Sequence, residues 1–128
     1  MLNEEQILKD AVKYLKEGFA SDGVKVFPKN QDKPSAFPCI TLTVSSQVNR
    51  TGITQELLAN VQIHATVFSP NIYAPTGSFN GIHTIFDKLN TLMAAKHYGR
   101  SNQTEPHFNN NWLVWNKDGY FTKKSNSF

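Results

Sequence analysis

Residues 57–68 read LLANVQIHATVF and carry the clearest alternation of apolar and polar side chains in the chain. Every second position from Leu57 to Val67 is apolar. Between them stand the polar residues Asn60, Gln62, His64 and Thr66. Because successive side chains of a strand point to opposite faces, this pattern predicts one face on a core and one face in water. The stretch therefore predicts a long strand of an antiparallel sheet.

Two further strands are predicted before this one. Residues 37–48 alternate in the same way, with Ile40, Leu42 and Val44 on one face. The polar segment around residues 49–52 then predicts the tip of a hairpin. Residues 24–27 predict a short strand, which ends or lies at a sheet edge because Pro28 cannot donate a ladder hydrogen bond.

Two amphipathic helices flank the predicted strands. The first has Asn3 as its N-cap and a stop at Asp22-Gly23. The second has Ser78 as its cap and Gly99 as its stop. The first helix has an apolar stripe at helical spacing, formed by Ile7, Leu8, Ala11, Val12, Leu15 and Phe19. The stripe of the second consists of Phe79, Ile82, Ile85, Phe86, Leu89, Leu92 and Met93.

The last third of the chain has a weaker pattern. Residues 100–111 are polar and contain a proline, which predicts a long loop. Residues 112–115 predict a strand, 117–119 a turn, and 120–122 a returning strand. From about residue 123 we expect a loose tail.

The order of these elements predicts the α+β class, with an antiparallel sheet and two helices packed on one face. No composition shift marks a boundary, so we expect one domain over residues 1–128. Two helices on one side leave the His64 face and the sheet edges uncovered. Proteins cap, charge or use an uncovered edge for assembly, so this arrangement indicates a protein partner.

Composition narrows the function classes. The net charge of +3 is small and spread along the chain, with no basic stripe, so we do not expect nucleic-acid binding. The polar N-terminus matches neither a secretory signal nor a transit peptide, and no apolar run approaches the roughly 20 residues of a membrane helix. Cys39 is the single cysteine, so no intrachain disulfide is expected. Synthesis and folding in the cytoplasm are the default expectation.

No residue pattern predicts a catalytic, cofactor or metal site. Cys39 follows Pro38 inside a predicted strand, where a structural role is favoured over a nucleophilic one. Asp118 is explained by a turn with Gly119, and nothing places it beside Asp87. No two of the four histidines, His64, His83, His97 and His107, have the close spacing of paired zinc ligands. A small enzyme with a pocket that gathers Cys39 and a histidine stays open as an alternative.

The richest aromatic cluster lies near the C-terminus, at Trp112, Trp115, Tyr120 and Phe121. Alternation puts Trp112 on one face of a strand and Trp115 on the other. One of them should reach the core, and the other could anchor a protein interface, since aromatic residues dominate binding hot spots. Burial of both is an equally open interpretation.

The size and element order resemble the tail terminator, or tail completion, proteins of long-tailed bacteriophages and related neck and minor capsid proteins. The resemblance covers the chain to about Ala95. It rests on the helix over residues 4–19, the strand FPCITL at 37–42 with Pro38 near its start, the strand VQIHATVF at 61–68, the loop at 69–77 and the helix over 79–93.

This resemblance implies a structural protein of the virion, assembled in the host cytoplasm, with no enzyme activity and no cofactor. It implies a ring, possibly a hexamer, that ends growth of the tail tube and meets the head connector. The contacts would be heterologous ones that close a ring. We expect the hairpin at 47–55 and the loop at 69–77 to make them, with Arg50 and Tyr73 as candidates beside Trp112 and Trp115. Another head–tail joining or minor capsid protein is the alternative within the same class.

Overall fold

The computed structural model of the chain describes residues 4–29, 33–50, 57–73 and 81–124, and the side chains of residues 46–50, 57–59 and 124 lie outside that description. Helices and strands follow one another in the order α1 (Glu4–Gly18), β1 (Lys25–Pro28), β2 (Cys39–Arg50), β3 (Leu57–Ser69), α2 (Ile82–Ala95), β4 (Gly99–Gln103), β5 (His107–Asn109) and β6 (Val114–Lys124). A short 3-10 turn, Ala20–Asp22, follows α1.

One sheet contains every strand of the described chain, in the order β1-β2-β3-β6-β4, with β5 also paired to β6. β1 runs parallel to β2, and all other pairs are antiparallel. β2 and β3 pair over their whole lengths, from Cys39↔Phe68 to Arg50↔Leu57. The predicted α+β class is confirmed, with a mostly antiparallel sheet, and the first three strands lie within two residues of their predicted positions.

Both helices pack on the same face of the sheet and form one core with it. The alternate positions of β3 that the sequence marks as apolar, Ile63, Ala65 and Val67, are fully buried there. α1 contributes Val12 and Leu15. The other members of this core include Phe19, Val26, Ile40, Leu42, Ile82, Ile85, Phe86, Leu89, Met93 and Phe121.

The two helices also contact each other. The Tyr14 hydroxyl donates a hydrogen bond to the Leu92 carbonyl at 2.7 Å. Lys88 of α2 forms an ion pair with Asp22, and the same ammonium lies 5.2 Å from the centre of the Phe19 ring. These contacts hold the end of α1 against α2 on the covered face.

α1 ends at Gly18, before its predicted stop at Asp22-Gly23, and the 3-10 turn that follows it ends at Gly23, which has a left-handed φ of 75°. α2 begins at Ile82 with Gly81 as its N-cap, and the predicted cap Ser78 lies outside the described residues. α2 ends before its predicted stop at Gly99, because His97 has a φ of 66° and Tyr98 N–H donates to the Met93 carbonyl at 3.1 Å. Asn3 lies outside the described residues.

The last third differs most from the sequence prediction. Residues 100–111 are not one loop, since they contain most of β4 and all of β5. Both strands lie at an edge, and neither face of them enters the core, so no alternation marks them. The predicted turn at 117–119 is also wrong, because β6 continues through these residues and pairs with β3. Tertiary pairing overrides the local turn signal of Asp-Gly.

The strand start at Trp112 is likewise corrected, because residues 110–113 form a turn and β6 begins at Val114. At the other end, β6 includes Lys123 and Lys124, so any tail begins later than about 123. Residues 125–128 lie outside the described chain.

The β2–β3 hairpin extends beyond the rest of the sheet. Pairing with β1 stops at Leu42 and pairing with β6 stops at Asn60. The pairs from Val48↔Ala59 to Arg50↔Leu57 therefore have no third strand among the described residues. We call residues 48–59 the hairpin arm, of which 51–56 lie outside the description.

Candidate functional site

The face of the sheet away from the helices has a polar centre and an apolar end. The polar side chains predicted for β3, His64 and Thr66, lie on this uncovered face, together with Asp118 and Tyr120 of β6. The uncovered face therefore brings together polar groups from strands that are 54 residues apart in the sequence.

An aromatic cluster occupies the apolar end of this face. Cys39, Phe68 and Val114 are buried there, with Phe27, Phe37 and Trp112 packed against them. The Phe68 ring lies 5.4 Å from the Trp112 ring and 6.2 Å from the Phe37 ring, centre to centre. Trp112 is thus a half-buried wall of this cluster.

Cys39 is not available as a nucleophile in this arrangement. Its side chain is fully buried in the aromatic cluster, and burial raises the pKa of its thiol to about 12. At neutral pH the residue stays a protonated thiol, whereas thiol chemistry needs the thiolate. The structural interpretation of Cys39 is therefore the one that the packing favours.

Asp118 is the centre of a hydrogen-bond network on the uncovered face. Its Oδ1 accepts hydrogen bonds from the Thr66 hydroxyl at 2.6 Å and pairs with His64 Nε2 at 2.9 Å. The Asp118 backbone N–H donates to the Thr104 hydroxyl at 3.0 Å. Tyr120 stacks on the His64 imidazole at 4.4 Å between ring centres, which fixes the plane of the imidazole.

The pKa of Asp118 is lower than its usual value of 3.8. Burial acts to raise this pKa, but the hydrogen bonds from His64 and Thr66, and the charges of His64 and His107, lower it by more. Asp118 is therefore an ionised carboxylate at neutral pH, held in one position by its neighbours.

A cavity of about 570 Å³ opens between this network and the aromatic cluster. Its floor is formed by the sheet, with Thr41, Thr66 and Asp118. Phe68 and Trp112 form an aromatic wall, with Asn109 and Asn116 beside them. The remaining described lining residues lie at the end of β1, namely Phe27 and Pro28, and between β1 and β2, namely Lys29, Lys33, Pro34 and Ser35.

Two lysines lie at the mouth of the cavity. The backbone N–H of Lys29 donates to the Leu42 carbonyl at 2.8 Å, which ties the residue after β1 to β2. Lys33 lies with its ammonium 5.9 Å from the centre of the Phe37 ring. Both side chains are exposed, so the cavity has a cationic mouth, an aromatic wall and an anionic floor.

Sequence reasoning did not find this cavity. The sequence predicts that His64 and Thr66 share the polar, wet face of β3; the structure places both on one face, but Thr66 is buried there. The Asp-Gly pattern predicts a turn at Asp118, whereas β6 continues there and pairs Asp118 with Thr66. Lys29 and Lys33 lie in a polar stretch without a hydrophobic period, so only the folded structure shows that they line the cavity.

The four predicted contact residues have different surroundings. Tyr73 is 75% exposed, and its ring lies 5.1 Å from that of His83. Trp115 lies on the covered face, packed against the main core and edge-on to Phe108. Trp112 lies in the turn before β6 and lines the cavity on the opposite face. The side chain of Arg50 lies outside the described residues.

The histidines do not gather into a metal site. Across the described chain no cluster of three or more His, Cys, Asp or Glu residues could hold a metal ion. His83 lies in the first turn of α2, and His97 lies in the turn after α2. His107 Nε2 lies 2.8 Å from the Asn116 side-chain nitrogen, close to the Asp118 network.

No protein-family model matches this chain, and no curated protein matches it at a significant level. Within the described residues, none of the helices is both long and apolar enough to cross a membrane.

Proposed function

We propose that this chain is a structural protein of a bacteriophage particle, a tail terminator that closes into a ring at the head–tail interface and ends growth of the tail tube. Its partners are further copies of itself, the tail tube and the head connector. The resemblance in element order motivates this proposal. The arrangement of α1, the long β2–β3 pair and α2 on one face of a sheet is consistent with that order.

The hairpin arm is the observation that carries the proposal. A two-stranded ribbon without further support is marginally stable in water. The arm has three strand pairs and no third strand among the described residues, so its backbone edges lack ladder partners on both sides. A neighbouring subunit that pairs with or packs on the arm would supply this support.

Two further surfaces favour contacts of the head-to-tail kind. β4 is an edge strand whose five residues are all exposed, and the cavity opens on the uncovered face. Because these surfaces differ from the arm, a contact between unlike surfaces is available. Repetition of such a contact closes a ring when a whole number of the rotations completes a full turn.

The test is the mass in solution, measured by light scattering after size exclusion over a range of concentrations and paired with negative-stain images. We expect closed rings, or a shift toward them as concentration rises. Arg50→Glu, in the arm, should weaken this association by reversing a charge at the contact. Lys13→Glu, on the exposed side of α1, is the matched charge reversal and should leave association unchanged.

A monomer at every concentration, without rings in the images, would contradict self-closure. The favoured function would then be that of a head–tail joining protein, which does not need to form a ring by itself. Rings that form equally well with Arg50→Glu and Lys13→Glu would keep the terminator proposal but remove Arg50 from the contact.

A further inference from the structure

The cavity on the uncovered face has features that ring closure does not require. Small-molecule sites have volumes of roughly 300–1,000 Å³ and combine apolar walls with a few placed polar groups. The cavity, at about 570 Å³, lies in this range. Its polar groups are fixed by the sheet, since Thr41 and Thr66 are both more than nine-tenths buried.

The floor of the cavity requires hydrogen-bond donors from its occupant. Asp118 is ionised, and its Oδ1 already accepts from Thr66 and pairs with His64. Its Oδ2 has no hydrogen-bond partner among the described residues, and a carboxylate oxygen only accepts. An N–H or O–H group of the occupant would therefore face Asp118.

The aromatic wall of the cavity favours an occupant with a flat ring. Phe68 and Trp112 meet at an interplanar angle of 53°, so their rings form two sides of a corner along the cavity. Aromatic rings stack on, or meet edge to face with, other flat rings. A planar ring of the occupant would pack in this corner above the sheet.

The two lysines at the mouth of the cavity favour an occupant with an anionic group. Lys29 and Lys33 are the cationic residues of the described lining, and both side chains are exposed at the mouth of the cavity. An ammonium forms charge-assisted hydrogen bonds with carboxylate or phosphate oxygens. The acidic group of the occupant would lie here, away from Asp118.

We propose that this cavity binds a small organic anion that carries a flat ring with N–H donors, the chemistry shared by nucleoside monophosphates and indole carboxylic acids. The ring packs against Phe68 and Trp112, a donor faces Asp118, and the acidic group pairs with Lys29 and Lys33. This inference does not depend on ring formation and is tested on the protein alone.

The tryptophans make the test specific, because the chain has only two and they lie on opposite faces of the sheet. The indole N–H resonances of the ¹⁵N-labelled protein are followed by NMR, with Trp115→Phe used to assign them. The probes are the four nucleoside monophosphates, the corresponding nucleosides and indole-3-acetate. We expect a saturable shift of the Trp112 resonance and a much smaller one for Trp115.

Charge variants test the orientation. Lys29→Gln with Lys33→Gln should weaken binding about tenfold or more, because the charge-assisted contacts are lost. The matched pair Lys13→Gln with Lys16→Gln, exposed on α1, should bind as the unaltered protein does. Asp118→Asn should also weaken binding, and the Trp112 resonance of the free variant reports whether the fold is kept.

The probes also separate the two sources of the ligand. Saturation by nucleotides with weaker binding of nucleosides assigns a phosphate, whereas saturation by indole-3-acetate alone assigns an indole carboxylate. The proposal is overturned if no probe shifts Trp112 saturably. It is also overturned if nucleosides bind as well as nucleotides, or if the Lys29 and Lys33 variant binds as well as its matched control.

Discussion

At the scale of single residues, Asp118 shows what a local sequence signal can miss. Asp followed by Gly is a strong turn signal, and the chain nevertheless continues straight through it in β6. The register aligns Asp118 with Thr66 and Tyr120 with His64. The polar side chains that alternation placed on the wet face of β3 are therefore half of a network whose other half was assigned to a turn.

Because of this network, we expect the free energy of unfolding to fall as the pH is lowered into the acid range. Because the folded-state pKa of Asp118 lies below its usual value of 3.8, the folded state favours the carboxylate. The resulting stability is present above the unfolded-state pKa and is lost as the pH falls through the folded-state pKa. We expect Asp118→Asn to lower the free energy of unfolding by about 1 kcal/mol at pH 7, and the difference from the unaltered protein to shrink below about pH 4.

Urea unfolding at a series of pH values measures this difference. Asp87→Asn, on the exposed side of α2, is the matched control and should leave the pH profile unchanged. A gap between the unaltered protein and Asp118→Asn that stays constant down to pH 2 would show that the charge of Asp118 does not stabilise the fold.

At the scale of elements, the sequence predicts the helices and strands that bury a face in the main core, and it does not predict the edge strands. β2, β3 and both helices bury one face, so burial leaves a period of two or 3.6 residues in their sequences. β4 and β5 bury neither face and leave no period. The residues of β6 do alternate between the two faces of the sheet. However, Gly119 lies at the centre of this strand, and an Asp-Gly pair in a sequence usually indicates a turn.

Gly119 allows α2 to approach β6 closely. A Cβ atom at this position would lie 2.7 Å from Cζ of Phe86, which is buried in the core. Gly119→Ala should therefore lower the free energy of unfolding by about 1–3 kcal/mol through overpacking.

At Gly99, a Cβ atom would meet only the Thr122 carbonyl oxygen at 3.9 Å. Gly99→Ala should change stability by less than about 1 kcal/mol, and thermal unfolding compares the two. Equal melting temperatures would mean that Phe86 moves aside without cost.

At the scale of the whole molecule, the candidate site could not be predicted because its parts are distant in sequence. Thr66, Trp112 and the two lysines each have an ordinary local explanation, as a strand residue, a core aromatic and loop charges. Only the pairing of β3 with β6, and the segment that crosses from β1 to β2, bring them around one cavity. The hairpin arm is different, because the equal lengths of the two long strands and the polar segment between them already indicate a projecting hairpin.

Removal of the hairpin arm separates folding from assembly. If Val48 is joined to Ala59 through an Asn-Gly turn, a type favoured for two-residue hairpins, the pairs from Gln47↔Asn60 onward stay in register. The pairs with β1 and β6 lie outside the deleted part, so we expect a folded protein with a core like that of the full chain. The same deletion should abolish ring formation if the arm makes the contact between subunits. Circular dichroism and thermal unfolding report the fold, and light scattering reports the mass. A folded, arm-less protein that still forms rings would show that β4 or the uncovered face makes the contact, whereas an unfolded product would show that the arm packs within its own subunit.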